Sequence, residues 1–369
     1  MYRIGAKVWI VRIMITWRLM SASFIWVTTP NMLYFLRFLL GMMEAGFYPG
    51  IILYLTQWYP SHWRAKIIAL FMSAIPISGI FGNPLSGWIM DAFHDVAGWH
   101  GWQWMFVIEA VPAIIVGIAV LYVLDDRIAK AKWLTDAEKA YLESEITAGH
   151  HEKESPHSVA AVFADKRIWH MCLIYFCFVM GQYGLTFWMP TLVKASGVSG
   201  NLNIGLISAI PFLSAVIAMN LCGRSADARR ERRWHLVIPA LACAVGFVVS
   251  SLAADNTVIA IIFLSIAACG VLTCAPLFWS LPTAFLSGTG AAAGIAVINS
   301  VGNLAGFLSP YLIGILKDYT HNNQSGMFML AGTLVVGAIA VLRTSARMVN
   351  RYSSPASIAN HLLISFARF

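Results

Sequence analysis

The sequence predicts an all-α polytopic membrane protein, and three observations support this prediction. The chain of 369 residues is 59% hydrophobic and only 11% charged, whereas a soluble domain carries about 25% charged residues. Its mean hydropathy is +0.71. Apolar stretches of about 20 residues recur along the chain, and a helix of that length crosses the hydrocarbon core of a bilayer. The same composition excludes a soluble domain, a disordered chain and a disulfide-stapled scaffold.

Ten apolar stretches are long enough to cross about 30 Å of hydrocarbon. Two of them are long enough to tilt or to contain a break. Proline residues between positions 276 and 282 are expected to loosen the eighth stretch and to expose backbone carbonyls there. The ten stretches are residues 10–29, 32–58, 67–90, 102–124, 168–191, 202–222, 235–254, 256–286, 291–316 and 326–342.

The distribution of basic residues predicts the orientation of these spans. If Met1 is cytoplasmic, 21 of the 25 Lys and Arg residues fall in cytoplasmic segments, and only Lys194 and Lys317 fall on the opposite side. This positive-inside pattern predicts that both termini are cytoplasmic. The net charge of +8 is therefore an orientation signal, and we expect no nucleic-acid partner.

One cytoplasmic connector is much longer than the others and divides the spans into four and six. We expect an N-terminal bundle at 1–124, an inter-bundle loop at 125–167, a C-terminal bundle at 168–342 and a cytoplasmic tail at 343–369. Within the loop, Thr135 followed by Glu138 is typical of a capping box that begins a short helix. The simplest interpretation of this helix is a solvated linker.

Two basic segments, each directly before a span, resemble the loop G-x-x-x-D-R-x-G-x-R-R of major facilitator superfamily transporters. In that superfamily the loop joins the second and third helices of each six-helix half, and its charged groups pair and separate as the bundles rock. The alternative is a simple basic turn on the cytoplasmic side. The predicted gating-loop residues are Arg3, Gly5 and Lys7 in the first copy, and Gly223, Asp227, Arg229 and Arg230 in the second.

Three longer segments strengthen this resemblance. Residues 37–50, 101–110 and 294–306 are similar to the anion:cation symporter family, especially to bacterial permeases for tartrate, 4-hydroxyphenylacetate, phthalate and similar organic acids. The similarity extends from about residue 3 to residue 342. It implies a fold of twelve helices in two halves, of which this sequence begins at the third. We therefore expect a chain truncated at its N-terminus, without the first helix that usually supplies a substrate-facing Arg.

Four charged residues fall inside predicted spans: Arg18, Arg37, Glu44 and Glu109. A charge in hydrocarbon costs at least about 2.5 kcal/mol, so each needs a partner or a function. Arg37 and Glu44 are seven residues apart, which puts them on one helix face and about 10 Å apart along the axis. The polar stripe on this face is Tyr34, Arg37, Gly41, Glu44 and Tyr48.

Two interpretations of this stripe remain open. The charges could pair with neighbouring helices and only fix packing, or they could line a central cavity. The family resemblance implies the second, with Arg37 binding a substrate carboxylate through its planar guanidinium and Glu44 carrying a proton. Glu109 has two possible roles. It could be a structural partner for a nearby hydrogen-bond donor or a second proton-coupling group. The sequence offers no explanation for Arg18.

Five residues of the second half are further candidates for substrate binding by similarity or by polarity within a span. Asn299 and Asn303 are one helical turn apart, and amides in a dry bundle need partners. Trp279 and Ser280 stand beside Pro276 and Pro282, where packing is the alternative role. Gln182 lies near the middle of the fifth span.

Together these observations predict a secondary transporter that couples proton symport to a small organic anion by alternating access. The alternatives are a transport-inactive truncated or sensor-like membrane protein, or a passive facilitator. No motif indicates an enzyme, a cofactor or a metal site. The expected partners are the organic anion, the proton and the lipid bilayer. We expect a monomer in the inner membrane of a bacterium.

Overall fold

A computed structural model describes residues 5–44, 46–59, 67, 70–151, 163–229, 231–282 and 288–345. Every regular element within these ranges is a helix, so the all-α prediction is confirmed there. The chain forms two compact units. Unit 1 consists of Met1–Glu154 together with Ser199–Leu206, and unit 2 consists of Ser155–Val198 together with Ile207–Phe369.

Eight helices in the described ranges are long and apolar enough to cross a membrane. They correspond to eight of the ten predicted spans. The other two predicted spans are also helical but are not among these eight. The second consists of two shorter helices, and the third is a helix of 19 residues.

The described residues of unit 1 form six α-helices that lie entirely within it. A 3-10 turn at Ser23–Trp26 follows the first helix and carries the fully buried Phe24. The helices are α1 (Ala6–Ala22), α2 (Pro30–Glu44), α3 (Phe47–Trp58), α4 (Ala74–Ala92), α5 (Gly101–Val123) and α6 (Asp136–His151).

The second predicted span is interrupted where α2 ends at Glu44 and α3 begins at Phe47. A Cβ atom on Gly46 would lie 3.0 Å from Ile13 and 3.1 Å from the Trp9 ring. The Trp9 indole N–H donates to the Gly46 carbonyl at 3.3 Å. Gly46 therefore permits α1 to approach the interruption closely. Trp9 adds a second hydrogen bond to a carbonyl that also accepts the Gly50 N–H at 3.1 Å.

The linker helix predicted from Thr135 and Glu138 is present as α6. The Thr135 backbone N–H donates to the Glu138 carboxylate at 2.9 Å, and the Glu138 backbone N–H donates to the Thr135 hydroxyl at 3.4 Å, so both bonds of the expected capping box are present. The helix is more than a solvated linker, however. Leu142 and Ile146 pack against a buried cluster around Trp58, so one face of α6 is fastened to unit 1.

Unit 2 is built from longer helices that approach one another closely. A Cβ atom on Gly270 would lie 2.3 Å from the Pro239 carbonyl oxygen, so only glycine permits this packing. Its elements are α7 (Lys166–Ala195), α8 (Asn201–Arg229, within unit 2 from Ile207 on), α9 (Trp234–Leu252), α10 (Thr257–Phe278), α11 (Gly288–Thr320) and α12 (Gln324–Arg343).

Candidate functional site

Helix α2 carries its charged residues beside the residues that it buries. Leu36 and Leu40, one turn apart, are buried in the cluster around Phe24. Arg37 and Glu44 are exposed, and they are three and four residues from Leu40, so they border the buried face. The two leucines anchor the helix, and the exposed charges beside them can serve a ligand.

The rest of the predicted stripe is open where the structure describes it. Tyr34 is 69% exposed. No atom lies within 4 Å of the position that a Cβ atom on Gly41 would occupy. Tyr48 belongs to α3, and its side chain is outside the described part of the chain. The helical spacing therefore holds from Tyr34 to Glu44 and ends at the interruption after it.

Arg37 is held over two aromatic rings. Its guanidinium carbon lies 5.4 Å from the ring centre of Phe24 and 5.9 Å from that of Phe106. The two rings are stacked with their centres 4.8 Å apart. The Gln103 side-chain amide donates to the Ile25 carbonyl and so fixes α5 against the 3-10 turn. The aromatic faces attract the cation and still leave its N–H groups available to an anion.

Glu44 lies within electrostatic range of two arginines, Arg18 and Arg37. Arg18 follows Trp17 on α1, and the Trp17 ring is 5.8 Å from that of Phe47, which begins α3 just after Glu44. The packing of α1 on the interruption thus carries Arg18 towards Glu44. Two cations and one carboxylate form a cluster whose net charge is positive.

Glu109 has a hydrogen-bond partner on the neighbouring helix. The Ser86 hydroxyl of α4 donates to the Glu109 carboxylate of α5. This is the nearby donor that one of the two interpretations of Glu109 requires. The bond ties two helices of unit 1 together.

The first predicted gating segment begins α1. Gly5 has a backbone φ of 89°, and the N–H of Lys7 donates to the Asp126 carboxylate at 2.9 Å. A Cβ atom on Gly5 would lie 2.9 Å from that carboxylate, so glycine allows the close approach. Asp126 therefore caps α1 across 119 residues of sequence. Arg3 is outside the described residues.

In unit 2, Tyr175 brings together helices that carry several candidate residues. Its ring centre lies 4.8 Å from those of both Phe278 and Trp279. A Cβ atom on Gly302 would lie 2.1 Å from the Tyr175 ring, so the ring rests directly against α11. Trp279 and Gly302, next to Asn303, are thus neighbours through one aromatic side chain.

The polar candidates of unit 2 differ in their partners. The Asn303 side-chain amide donates to the Asn299 carbonyl at 2.9 Å, which satisfies part of the amide within α11. The Ser280 hydroxyl donates to the Leu277 carbonyl at 2.6 Å, just after α10 ends at Phe278. Gln182 is half-buried on α7. The helix end at Phe278 agrees with the loosening expected near Pro276.

The second predicted gating segment is more helical than the sequence suggests. Helix α8 continues through Gly223 and Asp227 to Arg229, and α9 begins at Trp234. The Asp227 side chain and all of Arg230 are outside the described part of the chain. Basic side chains in the last turn of a helix can still reach solvent.

A second group of polar side chains lies at the start of α9. The Glu231 carboxylate accepts the Trp234 backbone N–H at 2.9 Å and pairs with His235 Nδ1 at 2.8 Å. His235 Nε2 lies 3.0 Å from the Ser225 hydroxyl of α8. Burial acts to raise the pKa of Glu231, but the hydrogen bonds from Trp234 and His235 hold that pKa below its ordinary value.

Sequence reasoning missed four residues of these sites. Tyr175 is two helical turns before Gln182, a spacing that places both on one face of α7. Glu231 and His235 have the i,i+4 spacing of a helical pair. Asp126 offered no local signal, because its partner at the start of α1 is distant in sequence.

Comparison with known proteins gives one consistent result. The profile described as Major Facilitator Superfamily matches residues 1–310. The protein named "Putative tartrate transporter" of Agrobacterium vitis is 45% identical over 341 residues, which cover 92% of this chain and 78% of that protein. The "Quinolone resistance transporter" of Acinetobacter baumannii is 35% identical over 363 residues, 98% of this chain and 83% of that protein.

A solved structure resembles the fold. The crystal structure of a D-xylose-proton symporter matches with a TM-score of 0.71 at 16% identity, covering 95% of this chain and 83% of that one. Together with the helical spans and the family profile, these findings establish the family. The chain belongs to the Major Facilitator Superfamily and is a multi-pass membrane transporter.

Proposed function

We propose that this transporter carries a small organic anion together with a proton by alternating access. The observation that carries the proposal is the exposed guanidinium of Arg37, held over Phe24 and Phe106 and lying within electrostatic range of Glu44. In this proposal Arg37 binds a carboxylate through paired N–H donors, and Glu44 takes up and releases the coupling proton.

The relative named for tartrate supports a carboxylate as the substrate class. The net positive charge around Glu44 favours an anion over a neutral sugar, because an uncompensated positive charge within a membrane protein is costly and a bound anion offsets it. Tyr34 is proposed as a further contact within unit 1. It would supply a hydroxyl group and an aromatic face to the non-ionised part of the substrate.

Coupling between proton and anion follows from the proximity of Glu44 and Arg37. A proton on Glu44 removes the carboxylate that competes with the substrate for Arg37, so protonation and anion binding favour each other. Loss of the proton restores the competition and promotes release. We further propose that the chain is a monomer in a bacterial inner membrane. The distribution of Lys and Arg supports the proposal that both termini are cytoplasmic.

The test uses the full chain in proteoliposomes with labelled tartrate as the probe. Glu44→Gln should abolish uptake driven by a pH gradient while preserving exchange of labelled for unlabelled substrate, because exchange needs no net proton movement. Glu109→Gln is the matched comparison, since Glu109 already accepts a hydrogen bond from Ser86. Accumulation driven by pH in Glu44→Gln would refute the role of Glu44.

The anion-binding role of Arg37 has a separate test. Arg37→Lys retains the charge but loses the planar pair of donors, so the affinity for tartrate should fall about tenfold or more, which corresponds to about 1.4 kcal/mol. Unchanged affinity would exclude a paired contact between Arg37 and the substrate.

A further inference from the structure

Arg18 is the intramembrane charge that the sequence leaves without a role. It lies on α1, and its guanidinium carbon is 4.7 Å from the Trp17 ring centre. Neither Arg18 nor Arg37 forms an ion pair with a carboxylate among the described residues. Both nevertheless lie within electrostatic range of Glu44. Arg18 is thus a second cation beside the proposed anion site, and its N–H donors are available.

The packing of α1 accounts for the position of Arg18 near Glu44. Trp9 and Ile13 contact Gly46 at the interruption between α2 and α3, and Trp17 lies beside Phe47. These three α1 residues are spaced by four, so a single helix face follows the interruption. Arg18 is fixed next to this face.

We propose that Arg18 binds a second carboxylate of the substrate and makes the transporter selective for dicarboxylate dianions over monocarboxylates. This inference rests on the proposed function, in which Arg37 binds the first carboxylate. The two arginines would then engage the two ends of one ligand.

The charge balance of the cluster favours this substrate class. With Glu44 ionised, the three groups carry a net charge of +1, and with Glu44 protonated they carry +2. A dianion that binds together with one proton leaves the occupied cluster neutral. A monoanion that binds together with one proton leaves one uncompensated positive charge, at a cost of about 2.5–3.5 kcal/mol in a membrane interior. The remaining acid of unit 1 near the aromatic pair, Glu109, is bonded to Ser86.

Two probes that differ by one carboxylate provide the test. Tartrate and glycerate both carry hydroxyl groups on adjacent carbons, but only tartrate has two carboxylates. Binding to the purified full chain is measured at one fixed pH by the change in tryptophan fluorescence, so it does not depend on coupling. The wild-type protein should bind tartrate at least tenfold more tightly than glycerate. Arg18→Gln should remove most of this preference by weakening tartrate alone.

Arg12→Gln is the matched control, because Arg12 lies on the same helix and its guanidinium carbon is 4.2 Å from the Trp9 ring centre. It should leave both affinities unchanged. Arg18→Lys keeps the charge and should keep part of the preference, which provides a second variant if Arg18→Gln does not fold.

Three outcomes would overturn the proposal. They are equal binding of both probes by the wild-type protein, equal weakening of both by Arg18→Gln, and an unchanged preference in that variant. If the wild-type protein binds neither probe, the proposed carboxylate function fails as well. If only the coupling test on Glu44 fails, these binding measurements still decide whether Arg18 sets the selectivity.

Discussion

The guanidinium carbon of Arg37 lies 5.4 Å from the centre of the Phe24 ring, and Phe24 is completely buried. A charged side chain that would otherwise sample many rotamers thus rests on a ring that is buried and stacked on Phe106. The arrangement restricts Arg37 without occupying its hydrogen-bond donors. It suits a cation that must meet a substrate in one orientation.

Phe24→Leu should therefore weaken substrate binding more than it slows transport. The variant keeps an apolar side chain but loses a cation–π contact, which is worth about 0.5–2 kcal/mol. We expect KM for tartrate to rise about two- to tenfold with kcat nearly unchanged. Phe93→Leu is the control, because Phe93 packs against Trp88 and Trp104 instead of Arg37. An equal rise in KM in both variants would contradict the positioning role.

Gly302→Ala should destabilise unit 2 and disturb Tyr175. The added Cβ atom would lie 2.1 Å from the Tyr175 ring, which must then leave its stack with Phe278. Overpacking of this kind costs about 1–3 kcal/mol. Thermal unfolding in detergent should show a lower Tm. Gly314→Ala on the same helix is the control, since no atom lies within 4 Å of its added Cβ position. An unchanged Tm in Gly302→Ala would contradict the close packing.

Asp126→Ala should destabilise the start of α1. The carboxylate accepts the Lys7 N–H, and loss of an N-terminal cap costs about 0.5–2 kcal/mol. Hydrogen exchange at the first turn of α1 should become faster. Asp125→Ala is a close control, because Tyr54 donates to the Asp125 backbone carbonyl, which the substitution retains. Equal exchange in both variants would rule out the capping role.

The helices could be predicted from the sequence because hydrophobic length depends only on neighbouring residues. Eight predicted spans recur as helices long and apolar enough to cross a membrane. Arg37 and Glu44 both lie within α2, so their spacing places them on one face, and both are exposed. The length of the second stretch allowed for a break, but its position after Glu44, where Trp9 reaches Gly46 from another helix, could not be predicted from local sequence.

The same limit applies to the candidate site. No residue spacing within α1 indicates a role for Arg18. Its proximity to Glu44 arises from the packing of α1 on the interruption. Asp126 and Lys7 meet across 119 residues. Local spacing could identify charged residues that need a role, but the pairing of those charges is a property of helix packing.

Glu231 leads to a prediction about pH. Its pKa is lowered in the folded protein by hydrogen bonds from the Trp234 backbone N–H and from His235, against the opposing effect of burial. A lowered folded-state pKa means that the stabilisation is fully present above the unfolded-state value and is lost as the pH falls through the folded-state value. Glu231→Gln should therefore lower the Tm at pH 7, by the equivalent of about 1 kcal/mol.

The difference in Tm between the wild-type protein and Glu231→Gln should shrink as the pH falls below the ordinary value of a glutamate, 4.5, because both proteins then lack the charge. Asp255→Asn is the control, since Asp255 is exposed in the short connection between α9 and α10. A difference that persists unchanged well below that value would mean that the charge of Glu231 does not stabilise the start of α9.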